Sequence, residues 1–320
     1  GRSLQKAILQ GATDSVRILV EEGISAENED DALESAIIHG RDEIVGLLLA
    51  HSPSDRKSRG RFSAALYQAS ARGNASLIES LLMHGADINA DGGDCGSALQ
   101  VAAHMGNDTL IELLIDHGAD IGAKGGHYGT AVQVAVRKGR EGATKLLLKH
   151  GADANAVKDL GDLLQVAVCE GHERIARLLI QHGAIQHGYA VGPHTCSNAL
   201  WAASSLGHRA IVQLFLDLGA DVNAKGGKFG TALQAALWSG QVGIARLLIQ
   251  HGANPDTPGV GNGTALCAAS RLGYIAIVEQ LLDLGAPVNA RGGKYGSAVE
   301  AAHKNGHQSI VKLLVEHGAD

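Results

Sequence analysis

Residues 231–253 read TALQAALWSGQVGIARLLIQHGA. Thr231 is placed to cap a short helix, because its hydroxyl can accept from the free N–H groups of the first turn. Leu233, Ala236 and Leu237 fall at i, i+3 and i+4, on one face. Gly240 ends that helix, where a left-handed backbone costs least. A second helix is predicted from near Val242 to His251. Its segment Ile244-Ala-Arg-Leu-Leu-Ile249 is apolar around more than half its circumference. Such a helix must be covered on two sides, by its own partner and by another unit. Gly252 terminates it, and a loop such as Lys225-Gly-Gly-Lys-Phe-Gly230 joins one unit to the next. Two helices of about ten residues cannot bury this surface alone, so a stack of units is the folding entity.

The pattern recurs along the whole chain. An aliphatic anchor stands at Leu4, Leu33, Leu66, Leu99, Val132, Leu164, Leu200, Leu233, Leu266 and Val299, each followed seven residues later by Gly. The intervals are 29, 33, 33, 33, 32, 36, 33, 33 and 33. Length alone, 320 residues, would suggest two domains, but this period overrides that prior.

Composition agrees. Hydrophobic residues make up 45%, aromatics only 3%, and 43 residues are Gly. The core is therefore built from Ala, Leu, Ile and Val, which suits tightly stacked helices. A net charge of −6 argues against a duplex-binding surface. No apolar run is long enough for a membrane helix, and no signal-peptide hydrophobic segment opens the chain. Cys95, Cys169, Cys196 and Cys267 are far apart with no CxxC, which points to a reducing, intracellular and cytoplasmic setting.

A 33-residue helix–turn–helix unit ending in His-Gly-Ala-Asp-x-Asn-Ala resembles the ankyrin repeat. The residues that carry the resemblance include Gly85-Ala-Asp-Ile-Asn-Ala90, Gly151-Ala-Asp-Ala-Asn-Ala156 and Gly219-Ala-Asp-Val-Asn-Ala224. It implies an all-α solenoid of about ten helix–turn–helix units with projecting β-hairpin fingers. The family's Thr-Pro-Leu-His helix start is here Thr231-Ala-Leu-Gln234 or Ser97-Ala-Leu-Gln100, so Gln is expected to take over the hydrogen bond of His. The loops have the form Gly-Gly-x-x-Gly at 92–96, 125–129, 226–230 and 292–296. This combination is similar to fungal ankyrin arrays found C-terminal in NTPase-containing recognition proteins of the STAND/NACHT type. Residues 1–320 are read as one array, with degenerate repeats over 1–62 and regular repeats over 63–320. A long finger is expected at 186–198 and a basic loop at 56–61. The missing initiator Met and the abrupt stop after His317-Gly-Ala-Asp320 suggest a fragment of a larger protein.

Features repeated in register build the fold rather than a site. That applies to the Gly-Gly-x-x-Gly loops, which lack the Lys that follows the last Gly of a phosphate loop. The same holds for the His-Gly-Ala histidines, suited to a helix C-terminus, and for the turn-forming asparagines Asn89, Asn155, Asn223 and Asn289. His187, His194 and Cys196 in the long finger fall short of the four-ligand spacing of zinc. No nucleophile, base and orienter converge in the pattern, so neither catalysis nor a cofactor or metal is expected.

What remains is a binding surface. Stack residues are constant, whereas the pair before each first-helix Gly and the finger tips vary. The resemblance places both on one concave groove. Candidate contact residues are Met105, His127, Tyr128, Arg137, Lys138, Leu206, Lys228, Phe229, Trp238, Arg271, Leu272, Lys294 and Tyr295. Trp201 and Phe215 are expected in the core. The leading reading is a monomeric, non-catalytic interaction scaffold binding a protein or peptide of acidic character, with no nucleic acid or membrane partner. The alternatives are the targeting arm of an enzyme whose catalytic domain lies elsewhere, and a small-molecule or glycan sensor.

Overall fold

Nine of the ten anchors are buried, and those at Leu66, Leu99, Val132, Leu200, Leu233 and Leu266 are each 1% exposed; the tenth, Val299, is half-buried. The register read from the sequence is thus the register of the core. In the computed structural model the described residues are 2–23, 26–51, 62–92, 96–127, 129–156, 163–184, 195–225, 230–257, 263–292 and 295–320. The basic loop 56–61, the long finger up to residue 194, and Tyr128, Lys228, Phe229 and Lys294 lie outside them.

The chain divides into two units. The first, Gly1–Lys158, contains α1 (Arg2–Gln10), α2 (Thr13–Glu21), α3 (Ala26–Ile38), α4 (Asp42–His51), α5 (Ser63–Arg72), α6 (Ala75–Met83), α7 (Ala98–Met105), α8 (Asp108–Asp116), α9 (Ala131–Arg137) and α10 (Glu141–Lys149). The second, Asp159–Asp320, contains α11 (Leu163–Cys169), α12 (Glu173–Gln181), α13 (Thr195–Leu206), α14 (Arg209–Asp217), α15 (Ala232–Trp238), α16 (Val242–Gln250), α17 (Ala265–Leu272), α18 (Ile275–Asp283), α19 (Ala298–Lys304) and α20 (Gln308–Glu316). Each odd-numbered helix packs on the even-numbered helix that follows it. Within each unit it also packs on the next odd-numbered helix. The sequence-degenerate stretch before residue 62 nevertheless forms two complete pairs, α1 with α2 and α3 with α4.

Small side chains let the odd-numbered helices approach closely. Ala102, Ala103, Ala135, Ala235, Ala236, Ala268, Ala269, Ala301 and Ala302 are all fully buried. The even-numbered helices supply the bulk, with Leu81, Ile111, Leu147, Leu248 and Leu281 also at 0% exposure and Phe215 at 1%, as expected for a core ring. Trp201, expected in the core, is half-buried.

The finger tips expected to form hairpins fall partly on residues 93–95, 128, 226–229 and 293–294, outside the described ones, and no strand occurs among the described residues. In three fingers the first and last glycines are joined by a backbone hydrogen bond: Gly92 donates to Gly96 at 3.1 Å, Gly125 to Gly129 at 3.3 Å and Gly292 to Gly296 at 2.9 Å.

Leu248 sits in the middle of this packing, in the second unit. Leu248→Ala should cost about 2–5 kcal/mol, because the stack cannot collapse around the void. The check is chemical denaturation, with circular dichroism at 222 nm expected to show a destabilised or two-step transition. A single unchanged transition would contradict nearest-neighbour stacking in this region.

Candidate functional site

Three sets of side chains tie one repeat to the next, and they frame the surface that is left. The first set starts from the odd-helix N-termini. Thr231 N–H donates to Gln234 Oε1 at 2.9 Å, and Gln234 N–H to Thr231 Oγ1 at 3.4 Å, forming a capping box. The amide end of the same Gln then reaches the following finger. Gln234 Nε2 donates to Thr257 O at 2.6 Å. Gln100 Nε2 faces Ala123 O at 3.2 Å, Gly125 O at 3.3 Å and Gly129 O. Gln therefore does what the sequence reading asked of it, from a buried position: Gln100 is 2% and Gln234 1% exposed. Gly96, at φ +79°, leaves the room that Gln100 Oε1 occupies, and a Cβ there would collide with that oxygen.

The second set extends the turn reading of the asparagines. Asn89 N–H donates to Asp87 Oδ1 at 3.0 Å, which makes the local turn. Its side chain also crosses to the next repeat, where Oδ1 accepts from Asp120 N–H at 2.8 Å. Asn223 bridges to Gly252 O at 3.1 Å and accepts from Asn254 N–H at 2.6 Å. Asn289 bridges to Gly318 O at 3.0 Å and accepts from Asp320 N–H at 3.1 Å.

The third set runs backward; of its members, His307 stands out in the sequence as a residue repeated in register after the helix-ending Gly, and the arginines do not. Arg41 Nη2 donates to Leu9 O at 3.0 Å, Arg140 Nε to His104 O at 3.0 Å, and Arg72 Nη1 to Ile37 O. His307 Nε2 lies 3.0 Å from Arg271 O. Each satisfies a carbonyl at the end of the preceding odd-numbered helix, which has no intrahelical partner. Arg140 passes over Gly106, where a Cβ would come within 2.8 Å of its Cδ. The signal was present in the sequence as a donor one residue after the helix-ending Gly for Arg41, Arg140 and His307, and one residue before it for Arg72.

These segments concentrate positive charge. The six residues from the third to the eighth after each anchor include Arg41, Arg72, Arg137, Lys138, Arg140, Arg271 and Lys304, but a single acid, Glu170. Lys and Arg near a helix C-terminus suit the dipole, yet the outcome in each unit is a run of basic segments on a chain of net charge −6. In the first unit Met105 is 52% exposed, Arg137 is half-buried, and Lys138 and His127 are exposed. In the second unit Leu206 is 50% exposed, and Trp238, Arg271, Leu272 and Tyr295 are half-buried. The last group contains a cluster. The Trp238 and Tyr295 rings stack with centroids 6.2 Å apart and planes at 22°, and Arg271 Cζ lies 4.7 Å from the Trp238 centroid.

Titratable groups follow this map. His104 is held below its usual 6.5 by burial first, then by Lys138 and Arg140. The histidines of the His-Gly-Ala motif turn Nδ1 onto the carbonyl four residues back, as in His84 to Ser80 O at 2.8 Å and His251 to Leu247 O at 2.9 Å. Cys267 replaces the Gln of the capping box, and burial, reinforced by Glu300 and opposed by Arg271 and Lys304, pushes its thiol up to about 11. Cys169 is exposed. No helix among the described residues is long and apolar enough to cross a membrane, and none of the described His, Cys, Asp and Glu cluster as a metal site would require.

A family model described as "Ankyrin repeats (3 copies)" matches residues 66–159, 99–189, 164–259 and 200–292. The crystal structure of the human ASB11 ankyrin repeat domain resembles the chain with a TM-score of 0.51 and 23% identity, over 78% of this chain and 96% of that one. No curated protein sequence matches.

Two titrations follow from these surroundings. By NMR, His104 should titrate with a midpoint below 6.5, and Lys138→Gln should move it upward; an unmoved midpoint would remove the cationic contribution. Because the folded value is lowered, the unfolded chain binds the proton first. Stability linked to His104 is therefore whole above 6.5 and declines as pH falls through 6.5 toward the folded value. Separately, iodoacetamide at mildly alkaline pH should label Cys169 in the native protein but reach Cys267 only on unfolding, as read by peptide mapping.

Proposed function

The chain belongs to the ankyrin repeat family, and on that premise we propose that it is a non-catalytic protein-recognition module binding an extended, acidic segment of another protein along its odd-helix face and finger tips. The observation that carries this is a local bias of charge: the segments that close the odd-numbered helices hold Arg41, Arg72, Arg137, Lys138 and Arg140 in the first unit, and Arg271 and Lys304 against Glu170 in the second, within an acidic chain. Around the cations stand exposed apolar side chains, Met105 and Leu206, of the kind that partners cover. The finger sequences add to the bias, with His127 beside Tyr128, Lys228 beside Phe229 and Lys294 beside Tyr295. A surface running over several repeats can supply the roughly 800 Å² per partner of a specific interface. Free thiols at Cys169 and Cys267 support an intracellular, reducing setting.

Long-range attraction between such a face and an acidic partner speeds encounter and is screened by salt. The partner is to be captured by pull-down from native lysate with mass spectrometry, and its association rate followed from about 50 to about 500 mM NaCl. The rate should fall steeply with salt. Arg137→Gln with Lys138→Gln should slow association several-fold while leaving the melting temperature close to wild type. A salt-independent rate, together with loss of binding on Glu112→Lys on the even-helix face, would place the partner elsewhere.

A further inference from the structure

The cluster on α15, α17 and the finger before α19 has a geometry that packing alone does not require. Trp238 ends α15, Arg271 lies one 33-residue period later, and Tyr295 sits at the tip that precedes Ser297. The Trp238–Tyr295 centroid distance is 6.2 Å, and Arg271 Cζ lies 4.7 Å from Trp238 and 5.9 Å from Tyr295. The guanidinium is thus gripped against two rings. One of its nitrogens, Nη2, donates to Trp238 O at 3.4 Å. Nε is buried and has no acceptor, and the same is true of the neighbouring Trp238 Nε1. Arg271 pairs with no carboxylate among the described residues; Glu300 on α19 is engaged by Lys304 at 3.7 Å.

We propose that this cluster is a carboxylate-binding site that receives one Asp or Glu side chain of the acidic partner segment. With Nε buried and Nη2 donating to Trp238 O, the N–H groups left for a carboxylate are those at the terminal nitrogens, whose end-on pair is also a bidentate geometry that carboxylates accept. Ring cover strips water from the cation, and an ion pair there gains more than one in open solvent. Trp, Tyr and Arg are also the residue types that dominate hot spots. The ligand is taken as a carboxylate because the partner segment proposed above is acidic. The proposal rests on the acidic-partner reading above and adds the position and chemistry of one anchor.

The test uses the full chain carrying Trp201→Phe, so that Trp238 is the single indole. N-acetylated hexaglutamate amide is titrated in, with hexaglutamine and a phosphoserine hexapeptide as comparisons. Calorimetry reads total binding and indole emission reads this site. Hexaglutamate should shift the Trp238 emission saturably and hexaglutamine should not. Arg271→Lys should weaken the emission-linked affinity about tenfold, since an ammonium cannot form the fork, and Arg271→Gln should abolish the response. Because Arg271 also caps Trp238 O, Tyr295→Leu serves as a second variant that removes one wall of the grip and should weaken the response without loss of the helical circular dichroism signal. If hexaglutamate binds by calorimetry but leaves emission unchanged, or binds Arg271→Gln equally well, this site is wrong while the acidic-partner reading stands. If hexaglutamate does not bind at all, the reading and the site fall together. Tighter binding of the phosphoserine peptide would overturn the carboxylate assignment.

Discussion

Short helices leave much of their backbone near an end. The helices here run from seven residues in α9 to 13 in α3, and an α-helix leaves four N–H groups and four C=O groups without an internal partner. In a seven-residue helix that is most of the backbone, and odd-numbered helices packed against neighbours on two sides shelter those groups from water. The stack answers with side chains borrowed from adjacent repeats. Gln closes the odd-helix N-terminus and holds the next finger, Asn spans from one turn to the next, and Arg or His reaches back to the carbonyls at the preceding odd-helix end. Each repeat is therefore completed by its neighbours in hydrogen bonds as well as in apolar burial.

This constraint also shapes the charge of the surface. Carbonyl ends attract cations, and in the first unit the backward-reaching Arg41, Arg72 and Arg140 satisfy that need, so the segments that close the odd-numbered helices gain positive charge as a consequence of holding the stack together. Arg271 donates to Trp238 O and lies against the Trp238 and Tyr295 rings. A guanidinium has five N–H donors, so one backbone contact leaves others for a further partner.

The helices were legible because two local rules, apolar spacing of 3.6 residues per turn and a helix-ending Gly, recur in register. The expected limits of the pair at Thr231 to His251 agree with α15 and α16 to within two residues. Burial of Phe215 and the role of the capping-box Gln were legible for the same reason: each follows from a position within the repeat. The sequence thus determined the helical period, the residues inside the stack and the excess of cations at the odd-helix ends. Only the tertiary structure decided which groups meet across repeats. The Asn bridges link residues about 30 positions apart and the Arg caps about 35, and no local pattern states which carbonyl a long side chain will reach. The tertiary structure likewise shows the hydrogen bond that joins the first and last glycines of three fingers. The grouping of Trp238, Arg271 and Tyr295 needed three separate repeats to be brought together. Each was visible as a variable position, but their mutual contact is a property of the packed chain.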